Sequence, residues 1–237
     1  MELQRYLRLK PYMGMIRRMD ITPIQTARGR RDDATLRERI PALDEYERLA
    51  APRRDDITPH HSAYTTSVSN DVHAASIEVA AFLQVFCEIG QPRKVADLGS
   101  GFSSFILRRH AAAADPSPEV YSVDNHEGWL GKTREYLASK GVSTDNVMIW
   151  DDFIAAAEPG SFDMVFHDMG FMDFREQTLE PVLGLTRPGG HIILDDVHKL
   201  PYRRFVHQML SDKGLEFLSL KKITCDSRAR YSYLVFT

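Results

Sequence analysis

Acids and histidines gather at the ends of short apolar runs in this 237-residue chain: Asp97, Asp124, His167-Asp168, and Asp195-Asp196 with His198. Residues at strand ends are the ones an open α/β sheet presents to a ligand. The stretch 95–104, Val-Ala-Asp-Leu-Gly-Ser-Gly-Phe-Ser-Ser, joins one such run (94–98) to a helix beginning near Ser103. The turn between them holds Gly99, Ser100 and Gly101. Glycines there let the backbone approach a ligand closely, and the helix start offers free N–H groups. Asp97 separates the possible ligands. A carboxylate at that strand tip would repel a dinucleotide pyrophosphate, whereas it suits a ligand with a cationic end. The dinucleotide fingerprint also asks for a third glycine, and this chain has Ser104 there.

The other acids suggest a second kind of chemistry. Carboxylates converging from adjacent strands, Asp168 with Asp195 and Asp196, would bind a hard divalent ion such as Mg²⁺ through oxygen. Such an ion turns a ligated hydroxyl into a nucleophile near neutral pH. Metal-free catalysis would instead use His198 or His167 as general base. The residues leave both routes open.

The elements that must position these groups follow a regular rhythm from about residue 70. Asn70 or Asp71 is a candidate cap for a helix running to Gly90. Strands are expected at 94–98, 119–123, 146–150, 162–167 and 191–195, with helices near 103–114, 127–139, 152–158 and 172–186. A helix near 201–213 precedes two last strands, 215–220 and 230–236, joined without any helix. Short apolar runs alternating with helices predict a parallel sheet covered on both faces, and the last two strands an antiparallel hairpin at its edge. The fold class is α/β, a Rossmann-like doubly wound seven-stranded sheet, mostly parallel.

With its motifs in this order, the chain over roughly 70–237 resembles the class I S-adenosylmethionine-dependent methyltransferases. Asp97-Leu-Gly-Ser-Gly101 matches that family's first motif, with Ser103 at the place of its third glycine. Val120-Tyr-Ser-Val-Asp124 matches the second, whose terminal acid accepts hydrogen bonds from the ribose hydroxyls; Asn125 adjoins it. Trp150-Asp151-Asp152 falls where the family pairs a carboxylate with the adenine amino group, and Trp150 is placed to stack on the base. The segment 185–195, Leu-Thr-Arg-Pro-Gly-Gly-His-Ile-Ile-Leu-Asp, resembles the family's turn into strand five. The resemblance implies S-adenosyl-L-methionine as cofactor. Within the family, Asp168, Asp195 and Asp196 match the metal ligands of the catechol O-methyltransferase type and of the metal-dependent sugar O-methyltransferases. Two departures stand out: the lysine that follows the first ligand in the catechol enzymes is missing, and His198 is not part of their pattern. The implied reaction is transfer to a hydroxyl of a small molecule.

Composition bounds the rest. Net charge is −3, which gives no global reason to expect nucleic acid or an anionic membrane as partner. The proline-containing signatures of nucleic-acid methyltransferases are absent after strand four, which continues Asp168-Met-Gly-Phe171. Two cysteines, no signal-peptide pattern and no apolar run near the ~20 residues of a membrane span lead to the expectation of a cytoplasmic protein. Residues 1–69 form a charged extension with prolines at 11, 23, 41, 52 and 59. Only 33–50 reads as helix there, while Tyr64-Thr-Thr-Ser-Val-Ser69 reads as a loop that closes over the cofactor or simply connects. Residues 1–31 hold eight Lys/Arg against Glu2 and Asp20, which reads as a solvated face or dimer contact ahead of a basic arm for an anionic partner. The extension is too poor in apolar residues to fold by itself, so a lid or interface role and a homo-oligomer are expected.

Overall fold

A computed structural model describes residues 34–237; the basic segment 1–31 lies outside the described residues. Fifteen elements follow one another from α1 to β7: α1 (Tyr46–Ser67), α2 (Ile77–Gly90), β1 (Lys94–Leu98), α3 (Phe102–Ala113), β2 (Glu119–Asp124), α4 (Glu127–Ser139), β3 (Val147–Ile149), α5 (Trp150–Ala156), β4 (Phe162–His167), α6 (Met172–Leu185), β5 (Thr186–Leu194), α7 (Leu200–Asp212), β6 (Glu216–Ser219), α8 (Lys221–Thr224) and β7 (Tyr233–Phe236). The strands make one sheet in the order β3-β2-β1-β4-β5-β7-β6. The first five are parallel, and β7 lies antiparallel between β5 and β6.

Alternation along each strand makes the two faces. Ala96, Val165, Ile192 and Val235 belong to a core with α6 and α7, whereas Val95, Met164, Ile193 and Leu234 belong to another with α2. Helices on both faces bury the central residues of the parallel strands, which is why those residues are largely apolar. The chain runs outward from β1 to β3 and returns as β4 on the other side of β1. That reversal is a topological switch point, and its crevice opens where Leu98 pairs with His167 and His167 with Leu194.

Several expectations shift. Strand five begins at Thr186, five residues before the apolar run. Strand three ends at Ile149, so Trp150 opens a helix. Asn70 caps a turn through its bonds from the Val72 and His73 amides (3.0 and 3.1 Å), while Ser76 caps α2. A one-turn helix, α8, interrupts the final hairpin.

The largest shift is α1, which runs through Pro52 and Pro59. Each proline removes a backbone bond from the helix. The compensation is tertiary: Tyr46, Ala50, Ile57 and Tyr64 share one buried stripe, and Arg53 grips Glu88 of α2 with bonds of 3.0 and 2.9 Å. Within the extension, therefore, residues 46–67 are built into the core. Thr65, Thr66 and Ser67 are helical as well, and their hydroxyls donate back to carbonyls one turn earlier (3.0, 2.8 and 2.7 Å).

Candidate active site

The tips of β1 and β2 are stitched together by the glycine turn. Gly99 and Ser100 donate backbone N–H bonds to Val123 O (2.8 and 3.1 Å), and Trp129 Nε1 donates to Ser100 O at 2.6 Å. Asp124 accepts from the Ser100 amide (3.1 Å) through one oxygen and from the His126 amide (3.0 Å) through the other. Ser104, at the place of a dinucleotide-type glycine, has a structural task. Its hydroxyl accepts from Gly101 N at 3.0 Å and donates to Asp97 Oδ2. The second Asp97 oxygen is buried without a partner. Ser103 donates weakly to Gly99 O (3.4 Å).

Burial shapes the charge of both acids. It pushes the Asp97 carboxyl up to about 7 against the opposing Ser104 and Ser103 bonds, and the Asp124 carboxyl up to about 6. A cationic ligand group beside Asp97 would satisfy the free oxygen and the charge together. The donor set thus fits the amino end of S-adenosylmethionine at Asp97 and its ribose at Asp124.

Gly99 ties this turn to strand four. Its φ of +116° favours glycine, and a Cβ there would lie 2.7 Å from the backbone carbon of Asp168. The glycine turn and the backbone of the first acid of the second cluster therefore approach each other closely. Tyr64 of α1 stands over the other glycine, with its buried, unpaired hydroxyl 3.0 Å from where a Gly101 Cβ would be. The only sequence sign of this residue was a hydroxyl-rich segment just ahead of the first helix of the domain.

Past β4 and β5, Asp168, Asp195 and Asp196 are brought together as expected, but not around an open centre. Arg175 of α6 reaches them from below: its Nη2 lies 2.5 Å from Asp168 Oδ1 and its Nη1 3.4 Å from Asp196 Oδ2. Lys199 Nζ contacts the same Asp196 oxygen at 2.9 Å, and the Ser232 hydroxyl donates to Asp195 Oδ1 at 2.7 Å. Asp196 takes a left-handed φ of +59°, which turns the chain so that consecutive acids point to different partners. Burial would raise Asp196, yet Arg175 and Lys199 hold it below the usual carboxylate range. Among the described residues, no group of three His, Cys, Asp or Glu side chains has the geometry to hold a metal ion. The residues as placed do not fit a divalent ion, because one oxygen of each acid is already engaged by Arg175, Lys199 or Ser232 and two cationic side chains flank them.

The two histidines separate. His167 is fully buried, bonded through Nε2 to Thr178 Oγ1 (3.2 Å), and burial with the Arg175 charge pushes it down to about 3. It is a core residue, which corrects the expectation of a catalytic role at 167. His198 is half-buried, its Nδ1 3.4 Å from Asp196 Oδ1. Burial lowers its pKa, which favours the neutral ring that can take a proton.

The expected adenine contacts are spread out. Trp150 is buried and packs on Phe153 (6.1 Å between centroids) and edge-on against Phe174 (6.3 Å), which corrects the expectation of an open stacking surface. Asp151 and Asp152 are exposed in the first turn of α5, where negative charge suits the helix start. Asn125 is exposed beside Asp124, and its Nδ2 lies 3.3 Å from the Cβ position of Gly170, so the turns after β2 and β4 nearly meet.

Residues 96–197 match a family described as a methyltransferase domain, a span reaching from β1 through both acid clusters. The chain is 27% identical over 181 residues to UbiE, a ubiquinone/menaquinone biosynthesis C-methyltransferase of Burkholderia orbicola, covering 74% of this chain and 72% of that protein. Its fold is similar to an O-methyltransferase from Bacillus cereus in complex with S-adenosylhomocysteine (TM-score 0.58, 19% identity, 78% of this chain and 89% of the other). It is also similar to TomG of Streptomyces achromogenes, an O-methyltransferase involved in tomaymycin synthesis, in complex with S-adenosylmethionine (TM-score 0.54, 19% identity, 79% and 87%). These findings and the sheet order define a class I methyltransferase fold. Over residues 96–197 the chain is similar to methyltransferase domains, and its fold is that of methyltransferases bound to S-adenosylmethionine or its demethylated product. Among the described residues, no helix is long and apolar enough to cross a membrane.

Proposed function

We propose that this protein is an S-adenosylmethionine-dependent methyltransferase that acts on a hydroxyl group of a small, largely apolar molecule, with His198 as the base. The observation that carries the reading is the contact of the Gly99 turn with Asp168, which sets the cofactor turn directly against the cluster holding His198. When bound, S-adenosylmethionine supplies an electrophilic methyl group on a sulfonium. Asp97 holds the amino end of the cofactor, Asp124 the ribose, and Asp151 with Asn125 the outer side of the nucleoside. His198 removes the proton from the acceptor hydroxyl as the oxygen becomes nucleophilic, and Asp196 Oδ1, 3.4 Å from the ring, stabilises the protonated histidine that results. Phe171 and Leu200 support an apolar acceptor. They are 83% and 45% exposed, and they follow Asp168 and Asp196 closely in the chain. Phenols are thus the first acceptors to test. Supplied with S-adenosylmethionine and a panel of phenols, catechols and sugars, the protein should release S-adenosylhomocysteine fastest with phenolic compounds and yield an oxygen-linked methyl by mass spectrometry and NMR. Ring-carbon products only, or no turnover with any hydroxyl, would defeat the assignment.

The state of Asp97 gives a second test. Its folded carboxyl holds a proton up to about pH 7, whereas the unfolded chain loses it near 3.8. This group therefore destabilises the unliganded fold as pH rises from about 4 to 7. A cationic ligand needs the ionised form, so below pH 7 binding must expel a proton. Cofactor affinity is expected to fall by up to roughly tenfold per pH unit below 7 and to level off above it. In Asp97→Asn the slope should vanish along with most of the affinity; a slope that survives would show that another group titrates.

Two free cysteines suit a reducing compartment, so the proposed setting is the cytoplasm, with a small molecule as partner. A homo-oligomer completes the proposal, and sedimentation equilibrium should give at least twice the chain mass.

A further inference from the structure

We propose that Arg175 is the built-in cation of the strand-end acid cluster, replacing the divalent ion that the same three aspartates would otherwise attract, and that methyl transfer by this protein is metal-independent. The proposal rests on the functional reading above for its catalytic half only.

The donor arithmetic of the guanidinium is complete. Arg175 offers five N–H groups. Nε donates to Gly170 O (3.3 Å), Nη1 faces Asp195 O (3.5 Å) and Asp196 Oδ2 (3.4 Å), and Nη2 donates to Asp168 O (2.8 Å) and contacts Asp168 Oδ1 (2.5 Å). The side chain is 6% exposed, so it is no mobile surface arginine that could swing aside at little cost. Every backbone segment that carries an acid of the cluster is bonded to it: the turn after β4 twice, and the turn after β5 once. Mg²⁺ or Mn²⁺ would need carboxylate oxygens at about 2.0–2.2 Å in octahedral array. Here one oxygen of each acid is already engaged, by Arg175, by Lys199 with Arg175, or by Ser232. The buried guanidinium of Arg175 and the more exposed ammonium of Lys199 stand where a further cation would have to enter.

The consequence for the reaction is positional. Three carboxylates gathered on one sheet edge repel one another unless something compensates them. Arg175 does so without leaving a vacant coordination position. By pinning Asp168 and Asp196 it fixes the carboxylate that faces His198. Arg175 is therefore a positioning residue and touches neither reactant.

The test separates the proposal from the functional reading because its first arm needs no turnover. Mn²⁺ is titrated into the full-length protein, with and without S-adenosylhomocysteine, and followed by electron paramagnetic resonance. Wild type is expected to bind no stoichiometric Mn²⁺ below millimolar concentration. Arg175→Ala, which opens the centre between the acids, should gain at least tenfold in Mn²⁺ affinity, and the gain should disappear in Arg175→Ala with Asp168→Asn. Arg175→Lys keeps the charge and should remain unable to bind the ion. In the second arm, chelator should leave turnover within twofold and added Mg²⁺ should not raise it. Stoichiometric Mn²⁺ binding by wild type, or chelator inactivation reversed by Mg²⁺ or Mn²⁺, overturns the proposal. So does a folded Arg175→Ala that gains no affinity. If that variant does not fold, the wild-type titration decides alone.

Discussion

His198→Ala is expected to lower kcat by roughly 10²- to 10⁴-fold, the usual contribution of a positioned general base, while leaving affinity for S-adenosylhomocysteine within about twofold. The split follows from geometry. His198 lies after β5 beside Asp196, whereas the residues assigned to the cofactor, Asp97, Gly99 and Asp124, lie at the tips of β1 and β2. Because the ring is half-buried and not walled in, added imidazole should restore part of the rate. Steady-state kinetics beside calorimetry make the measurement. A variant with near-wild-type kcat would remove His198 from the chemistry, and the Asp168 cluster would have to supply the base.

Gly99→Ala carries the largest expected structural effect. At φ +116° an alanine is strained, and its Cβ would meet the Asp168 carbonyl carbon and oxygen at 2.7 and 2.8 Å and the Met169 nitrogen at 2.9 Å. Those are backbone atoms, and the Asp168 carbonyl is held by Arg175, so little can yield. Strain and overpacking together should cost roughly 2–5 kcal/mol, a large part of a typical domain's stability. Denaturant unfolding measures that loss, and the variant should also lose cofactor binding at temperatures where it remains folded. Gly141→Ala is the control. It shares a positive φ (+67°) but has open space around the Cβ, so only the smaller backbone penalty should appear. Equal losses in the two variants would show that the contact with strand four carries no special weight.

The difference between these glycines explains what the sequence discloses about the site. Gly99, Asp97 and Asp124 are legible because a strand-turn-helix unit is local: the apolar run, the glycines and the helix start lie within about ten residues and constrain one another. The same holds for the acids that close β4 and β5. Arg175 is not legible in this way. Its meaning comes from one guanidinium meeting two strand ends at once, Asp168 seven residues before it and Asp195 twenty residues after it, a combination with no spacing rule. His167 and His198 look alike in the sequence, each beside an acid at a strand end. They differ because β4 is central and covered on both faces, while His198 sits one turn beyond its strand. Pro52 and Pro59 mislead for a related reason. Their local penalty is real, but a stripe of buried side chains seven residues apart, Ala50, Ile57 and Tyr64, outweighs it. Trp150 follows suit, since the short β3 stops one residue earlier than its apolar pattern and the indole turns inward.

The central claim is that the tips of β1 and β2 bind S-adenosylmethionine or its demethylated product. Isothermal titration of wild type and Asp124→Ala with S-adenosylhomocysteine, beside NAD, tests it most directly. The expected result is one S-adenosylhomocysteine per chain in wild type, an affinity loss of roughly 1.5–3 kcal/mol in Asp124→Ala as charge-assisted bonds to the ribose disappear, and no heat from NAD. Tight binding of NAD with none of S-adenosylhomocysteine, or an affinity unchanged by Asp124→Ala, would contradict the account.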